Sequence, residues 1–143
     1  MPEARYFLAH TRKTPDADID SWTQTLIGQL TQTGWEAKVV PGRDDFERRA
    51  AGLGGWKRWC HDVPCGCSYD GEPLFHGVIV PVTDTETGIG RATALLIEGF
   101  LKEGKYTYAW SPAQKIFVPI VGLEELPGDN WKEWATLVLQ PAA

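Results

Sequence analysis

Hydrophobic positions along the chain follow two alternating periods. Short, mostly apolar runs predict strands at 5–10, 35–40, 75–82, 106–110 and 115–121, and the run at 75–82 is the most apolar. Between them, apolar residues recur every three or four positions from near 16, 43 and 89, and again over 131–138, which predicts helices. Gly34 and Gly104 are expected to end two of the helices, and Pro119 indicates an edge strand.

This alternation predicts an α/β fold. We expect residues 1–143 to form one domain, a Rossmann-like or flavodoxin-like three-layer sandwich with a five-stranded, mostly parallel sheet. Ligands of open parallel sheets bind beyond the carboxyl ends of the strands, at the point where the strand order reverses. For the strand order 2-1-3-4-5, that point lies between strands one and three.

Composition and charge narrow the class of partner. Lys and Arg number 14 against 19 Asp and Glu, a formal net charge of −5, which argues against binding to a nucleic-acid polymer or an anionic membrane. A small phosphorylated ligand would need only a local basic pocket. The amino-terminal residues lack the basic-then-apolar pattern of a signal peptide, and every apolar run is shorter than about 18 residues, so we expect a cytoplasmic protein.

The predicted strand tips carry the candidate ligand-binding groups. Imidazole, hydroxyl, cationic and aromatic groups follow strands one, two and four: His10, Thr11, Arg12, Lys13, Arg43 and Trp110. Asp84 and Glu86 follow strand three, and Gly88 and Gly90 then open a helix whose unpaired N–H groups can hold an anion. Each of these residue types is also common in solvated loops and turns. Their convergence at one edge of the sheet is what predicts a site.

Several familiar motifs are missing. A dinucleotide fingerprint would need glycine where Thr93 stands, and neither a P-loop nor a GxSxG elbow occurs. Cysteine and histidine cluster at Cys60, His61, Cys65 and Cys67, with His76 further on. Their spacing differs from that of a zinc knuckle, so we expect reduced thiols, with no metal and no cofactor.

Three segments resemble one enzyme family. They are 6–12 (YFLAHTR), 55–62 (GWKRWCHD) and 78–105, which includes Gly88-Ile89-Gly90 and Gly104-Lys105. Together they cover about half of the chain, and they resemble the nucleoside 2-deoxyribosyltransferases and the related deoxynucleoside monophosphate N-glycosidases. The resemblance implies a small Rossmann-like enzyme, commonly a homo-oligomer, that cleaves an N-glycosidic bond. It also implies that a glutamate attacks the anomeric carbon and that an aspartate, matched here by Asp62, assists at the base.

The chain departs from the family at the nucleophile. The family's glutamate stands two residues after the GxG turn, where this chain has Ala92. Three alternatives are open: Glu86 acts instead, Glu98 points back to the site, or the pocket binds a ligand without cleaving it. Asp62, Asp84 and Glu86 are therefore the catalytic candidates.

Three functions follow from these observations. The first is binding of a nucleoside or nucleotide with cleavage or transfer at its N-glycosidic bond. The second is a non-catalytic nucleotide sensor or sequestering protein. The third is a protein-interaction module, because the chain holds seven tryptophans.

Overall fold

We analysed a computed structural model, which describes residues 3–10, 14–32, 34, 36–44, 60, 63–64, 75–81 and 91–120. The parallel strands are β1 (Glu3–Leu8), β2 (Glu36–Pro41), β3 (Gly77–Pro81) and β4 (Tyr106–Trp110). A three-residue strand, β5 (Phe117–Pro119), follows them. Two long helices are described beside the strands, α1 (Asp16–Thr31) and α2 (Arg91–Lys102), and residues 42–44, 60 and 63–64 are also helical. The α/β alternation predicted from the apolar periods is confirmed for these elements.

The sheet has the predicted order, β2-β1-β3-β4-β5. Strand pairs β1–β2, β1–β3 and β3–β4 are parallel, whereas β5 runs antiparallel to β4. The direction of β5 follows from the length of its connection, because residues 111–116 are too few for the crossover of a dozen or more residues that a parallel neighbour requires. The edge position predicted from Pro119 is confirmed.

The core lies on both faces of the sheet. Alternate residues of a strand point to opposite faces, so each buried strand supplies two apolar sets. The first set includes Phe7, Val78 and Val80, and it packs with Leu96, Ile97 and Phe100 of α2. The second set includes Leu8, Ile79 and Trp110, and it packs with Leu26 of α1. The two helices therefore lie on opposite faces of the sheet, as in a three-layer α/β arrangement.

The helix ends show why these segments are helical where they are. Asp16 and Asp18 stand in the first turn of α1, where carboxylates stabilise a helix through its dipole. Helix α2 ends in a Schellman motif: the N–H of Gly104 (φ +67°) donates to Leu101 O at 3.1 Å, and that of Lys105 donates to Phe100 O at 3.0 Å. The predicted stop at Gly104 is confirmed. Neither helix in the described part of the chain is long and apolar enough to cross a bilayer.

Candidate functional site

The carboxyl edge of the sheet contains the expected reversal of strand order. From β1 the chain passes to β2 on one side, and β3 then pairs with β1 on the other side. Leu8 is the register partner of Ile79, and the N–H of Ala9 donates to Ile79 O at 2.9 Å. The chain therefore leaves β1 and β3 side by side, which is the geometry at which open α/β sheets bind ligands.

His10 joins the tips of β1 and β2. Its Nε2 accepts a hydrogen bond from the backbone N–H of Arg43 at 3.0 Å. A ring that accepts at Nε2 is neutral and carries its proton on Nδ1. The sequence predicts His10 as a ligand-binding group, and in the structure one of its two nitrogens already holds the neighbouring strand tip in place.

Arg43 stands at the centre of what we call the Arg43 cluster, which consists of Arg43, Asp16, Asp20 and Asp44. Its Nη1 lies 2.8 Å from Asp16, its Nε 3.0 Å from Asp44 and its Nη2 3.3 Å from Asp20. The hydrogen bonds to the three carboxylates, that to Asp16 foremost, raise the already high pKa of the guanidinium. One cation against three carboxylates leaves a formal charge of −2.

The Arg43 cluster gives Arg43 partners that the sequence does not predict. The sequence predicts that this side chain contributes positive charge to a phosphate site. In the structure the guanidinium instead links the β2 tip to the first turns of α1, with each of its three nitrogens bonded to a carboxylate. Asp16 and Asp20 are four residues apart and so share one face of α1. That spacing is the sequence signal that the two carboxylates stand together, but it does not indicate their partner.

Trp110 is a core residue, and this corrects its expected role. The side chain is only 1% exposed, and its Nε1 donates to Gln29 Oε1 at 3.0 Å. Trp22 of α1 meets its ring edge-to-face at a centroid distance of 6.5 Å. The position at a strand tip predicted a ring that stacks on a base. A ring packed in this way under α1 offers no open face for stacking.

The other predicted site residues lie outside the described part of the chain. They are Thr11, Arg12, Lys13, Asp62, Asp84, Glu86, Gly88 and Gly90. The backbone at Ala92 is described and belongs to the first turn of α2.

Glu98 can be placed, and the structure argues against it as a nucleophile. It forms an ion pair with Lys102 at 3.0 Å on α2. The helix rises about 1.5 Å per residue, so Glu98 lies roughly 10 Å along the axis from Arg91, away from the carboxyl edge. Of the three alternatives opened by Ala92, only action by Glu86 and binding without cleavage then stay open.

Cys60 belongs to the apolar core. Its side chain is 2% exposed among Val63, Phe75 and their neighbours. Burial raises the pKa of the thiol from its ordinary value near 9 to about 11, so it is protonated at neutral pH. Metals bind the thiolate, which makes this cysteine a poor ligand. Within the ranges that the structure describes, no group of three His, Cys, Asp or Glu residues could hold a metal ion.

Comparison with known proteins identified no relative of this chain. No family model, no curated protein and no solved structure matches it. The three resembling sequence segments and the geometry of the carboxyl edge are therefore the observations that bear on function.

Proposed function

We propose that the protein binds a nucleoside or nucleotide at the carboxyl edge, between β1 and β3, and cleaves or transfers at the N-glycosidic bond. The observation that carries the proposal is the reversal of strand order beside Ala9 and Ile79. The segments 10–13 and 82–90, which hold most of the candidate ligand groups, follow directly from these two adjacent strands. We choose a nucleoside or nucleotide as the ligand because three segments of the chain resemble the deoxyribosyltransferases.

The proposed reaction uses carboxylates on two segments. Glu86 attacks the anomeric carbon, the bond from that carbon to the base nitrogen breaks, and the leaving base takes a proton from Asp62. Water or a second base, which gives up a proton to Asp62, then displaces Glu86 from the covalent deoxyribosyl intermediate, so that both side chains return to their starting states. Asp84 binds a sugar hydroxyl.

Base release tests the proposal. The protein is incubated with each of the four common 2′-deoxynucleosides and with their 5′-monophosphates, and free base is followed by chromatography. We expect release that is lost in Glu86→Gln. Glu98→Gln is the matched control: it removes the same charge from a residue that pairs with Lys102 on α2, and it should leave activity intact. Release that is unchanged in Glu86→Gln would show that another group is the nucleophile.

Binding without cleavage is the second candidate, and Ala92 favours it. An alanine in the first turn of α2, where the family has its glutamate, cannot form the covalent intermediate. Calorimetry would then show saturable binding while chromatography shows unchanged ligand. The third candidate, a tryptophan-rich interaction module, loses support from Trp22 and Trp110, because both rings pack with the core beneath α1. If no nucleoside or nucleotide binds, that result would favour the interaction module.

A further inference from the structure

Strand β2 ends the described sheet on one side. Among the described residues it pairs with β1 alone, so its other edge carries backbone N–H and C=O groups that point away from the sheet. An edge of this kind is a template for pairing with a further strand. Pro41 at the end of β2 fits this position, because proline lacks an N–H and is found in sheets almost only on edge strands.

The hydrogen bonds of β1 show which residues of β2 face outward. The N–H of Ala9 donates to Ile79 O at 2.9 Å and so points toward β3. Backbone groups alternate in direction along a strand, so those of Ala4, an odd number of residues earlier, point toward β2. Ala4 is in register with Ala37, and in a parallel pair it bonds to the residues on either side of its register partner. The N–H and C=O of Ala37 therefore point outward.

Opposite charges flank Ala37 on this edge. The side chains of Glu36 and Lys38 are exposed, and they lie on the same face of the sheet because they are two residues apart. In an antiparallel pair of β2 strands with a two-fold axis at Ala37, Glu36 of each copy lies directly opposite Lys38 of the other. Opposite charges at such positions stabilise the pairing, and like charges destabilise it. An axis at Glu36 or at Lys38 would bring two like charges together, so charge favours the axis at Ala37.

We propose that two copies of the chain associate through β2, which pairs antiparallel with β2 of the second copy about Ala37. The N–H of Ala37 in each copy donates to the C=O of Ala37 in the other, and a Glu36–Lys38 ion pair lies on each side of these hydrogen bonds. The two sheets become one continuous sheet. The same patch is used on both copies, so the contact closes at a dimer. This dimer goes beyond the proposed function and does not depend on it.

Sedimentation velocity over about 1 to 100 µM protein tests the proposal, and we expect a reversible monomer–dimer equilibrium. Glu36→Lys and Lys38→Glu each place like charges opposite each other on both sides of the axis. Each should raise the dissociation constant of the dimer about tenfold. The double variant Glu36→Lys/Lys38→Glu restores both ion pairs with their signs exchanged, and it should return the dissociation constant to that of the unmodified protein.

A second pair of charges provides the control. Glu98 and Lys102 form an exposed ion pair on α2, so Glu98→Lys and Lys102→Glu make the same changes of charge away from β2. These variants should leave the dissociation constant unchanged. Thermal unfolding of each variant verifies that it is folded.

Hydrogen exchange locates the contact. The amide of Ala37 should exchange more slowly as the dimer forms, whereas the amide of Lys38, which faces β1, should be protected at every protein concentration. Ala37→Pro removes the N–H at the two-fold axis and leaves the bonds to β1 in place. This variant should be monomeric.

Three results would overturn the proposal. The first is a monomer across the whole concentration range. The second is a dimer whose dissociation constant is the same in Glu36→Lys, Lys38→Glu and Ala37→Pro, which would place the contact elsewhere on the chain. The third is a double charge variant that dimerises as weakly as the single variants, because the two side chains would then not face each other. Nucleoside binding enters none of these measurements, so the proposed function is tested separately.

Discussion

The carboxyl and amino edges of the sheet each contain a histidine that joins β1 to a neighbouring strand through a hydrogen bond. We call each of these hydrogen bonds a histidine joint. At the carboxyl edge, His10 Nε2 accepts the backbone N–H of Arg43 at 3.0 Å and joins β1 to β2. At the amino edge, His76 Nδ1 accepts the backbone N–H of Arg5 at 3.0 Å and joins β1 to the start of β3. Each contact thus pairs a histidine ring nitrogen with the backbone amide of an arginine.

The surroundings of the two arginines differ. Arg5 is 7% exposed, and its guanidinium carbon lies 5.1 Å from the centre of the Phe75 ring. Arg43 is held by carboxylates that reach into solvent. Arg5 is therefore enclosed by packing, whereas Arg43 and its carboxylates keep their charges in contact with water. Only the second arrangement leaves polar groups that a dissolved ligand could reach.

The largest expected effect comes from adding a methyl group at the amino edge. A Cβ at Gly77 would lie 2.5 Å from Tyr106 O and 2.9 Å from Tyr6 Cε1, whereas at Gly42, at the carboxyl edge, the nearest contacts are 3.2 Å. We expect Gly77→Ala to lower the free energy of unfolding by about 3 kcal/mol and Gly42→Ala by about 1 kcal/mol. Urea unfolding measures both.

Gly28 provides the control for the glycine pair. No atom lies within 4 Å of a Cβ built there, in the interior of α1. Gly28→Ala should therefore stabilise the protein by about 0.5–1 kcal/mol through helix propensity. If Gly77→Ala and Gly42→Ala lowered the free energy of unfolding equally, that result would contradict the difference in packing between the edges.

Truncation of the two arginines should cause the next largest losses of stability. Arg5→Ala removes a buried side chain and its contact with Phe75, and we expect a loss of roughly 2 kcal/mol of stability. Arg43→Ala should lower the melting temperature less, because its ion pairs are exposed and screened by water. Thermal unfolding at 0.05 M and 0.5 M salt compares them. A salt-dependent loss for Arg5→Ala would contradict the packing role.

The histidine joints should show a smaller effect. His10→Ala and His76→Ala each remove one acceptor, at an expected cost of about 1 kcal/mol. Hydrogen exchange should accelerate at the amide of Arg43 in the first variant and at that of Arg5 in the second. His10→Gln and His76→Asn place an amide oxygen near the lost nitrogen and should restore protection. Unchanged exchange in both alanine variants would show that neither joint holds its strand.

The smallest expected effect concerns Tyr6 on β1. Burial, with smaller contributions from Tyr108 and Tyr106, raises the pKa of its phenol above the ordinary value of 10.0. The unfolded chain then loses this proton at a lower pH than the folded chain, so stability falls as pH rises above about 10. Tyr6→Phe should lessen that fall, by less than about 1 kcal/mol, in urea unfolding between pH 9 and 11. An identical slope in both proteins would place Tyr6 in contact with water.

Much of the described fold was predictable from local pattern. The fully buried β3 was predicted because its run 75–82 is apolar at successive positions, and the turn after α2 because only a residue such as Gly104 adopts positive φ easily. The extent of β5 was overestimated. The run 115–121 is apolar after Lys115, but within the described residues β5 covers Phe117–Pro119, because pairing depends on the partner strand as well as on the run itself.

The candidate site was less predictable. Arg43 and Trp110 were assigned to a ligand because each follows or ends a strand; the positions are correct, but Trp110 is buried in the core and Arg43 is bonded to carboxylates. Local sequence shows that a residue stands at a tip, but it does not show the direction of the side chain or what lies across from it. Asp16 and Gln29, both on α1, decide the matter for these two side chains.

By itself, the sequence determined the order of elements, the places where helices end and the edge at which ligands are expected, because apolar period and turn chemistry act over a few residues. Only the tertiary structure decided the charge and openness of that edge. Asp16 meets Arg43 from 27 positions away, and Gln29 meets Trp110 from 81. Contacts of this length depend on the packing of α1 against the sheet, and no local pattern records them.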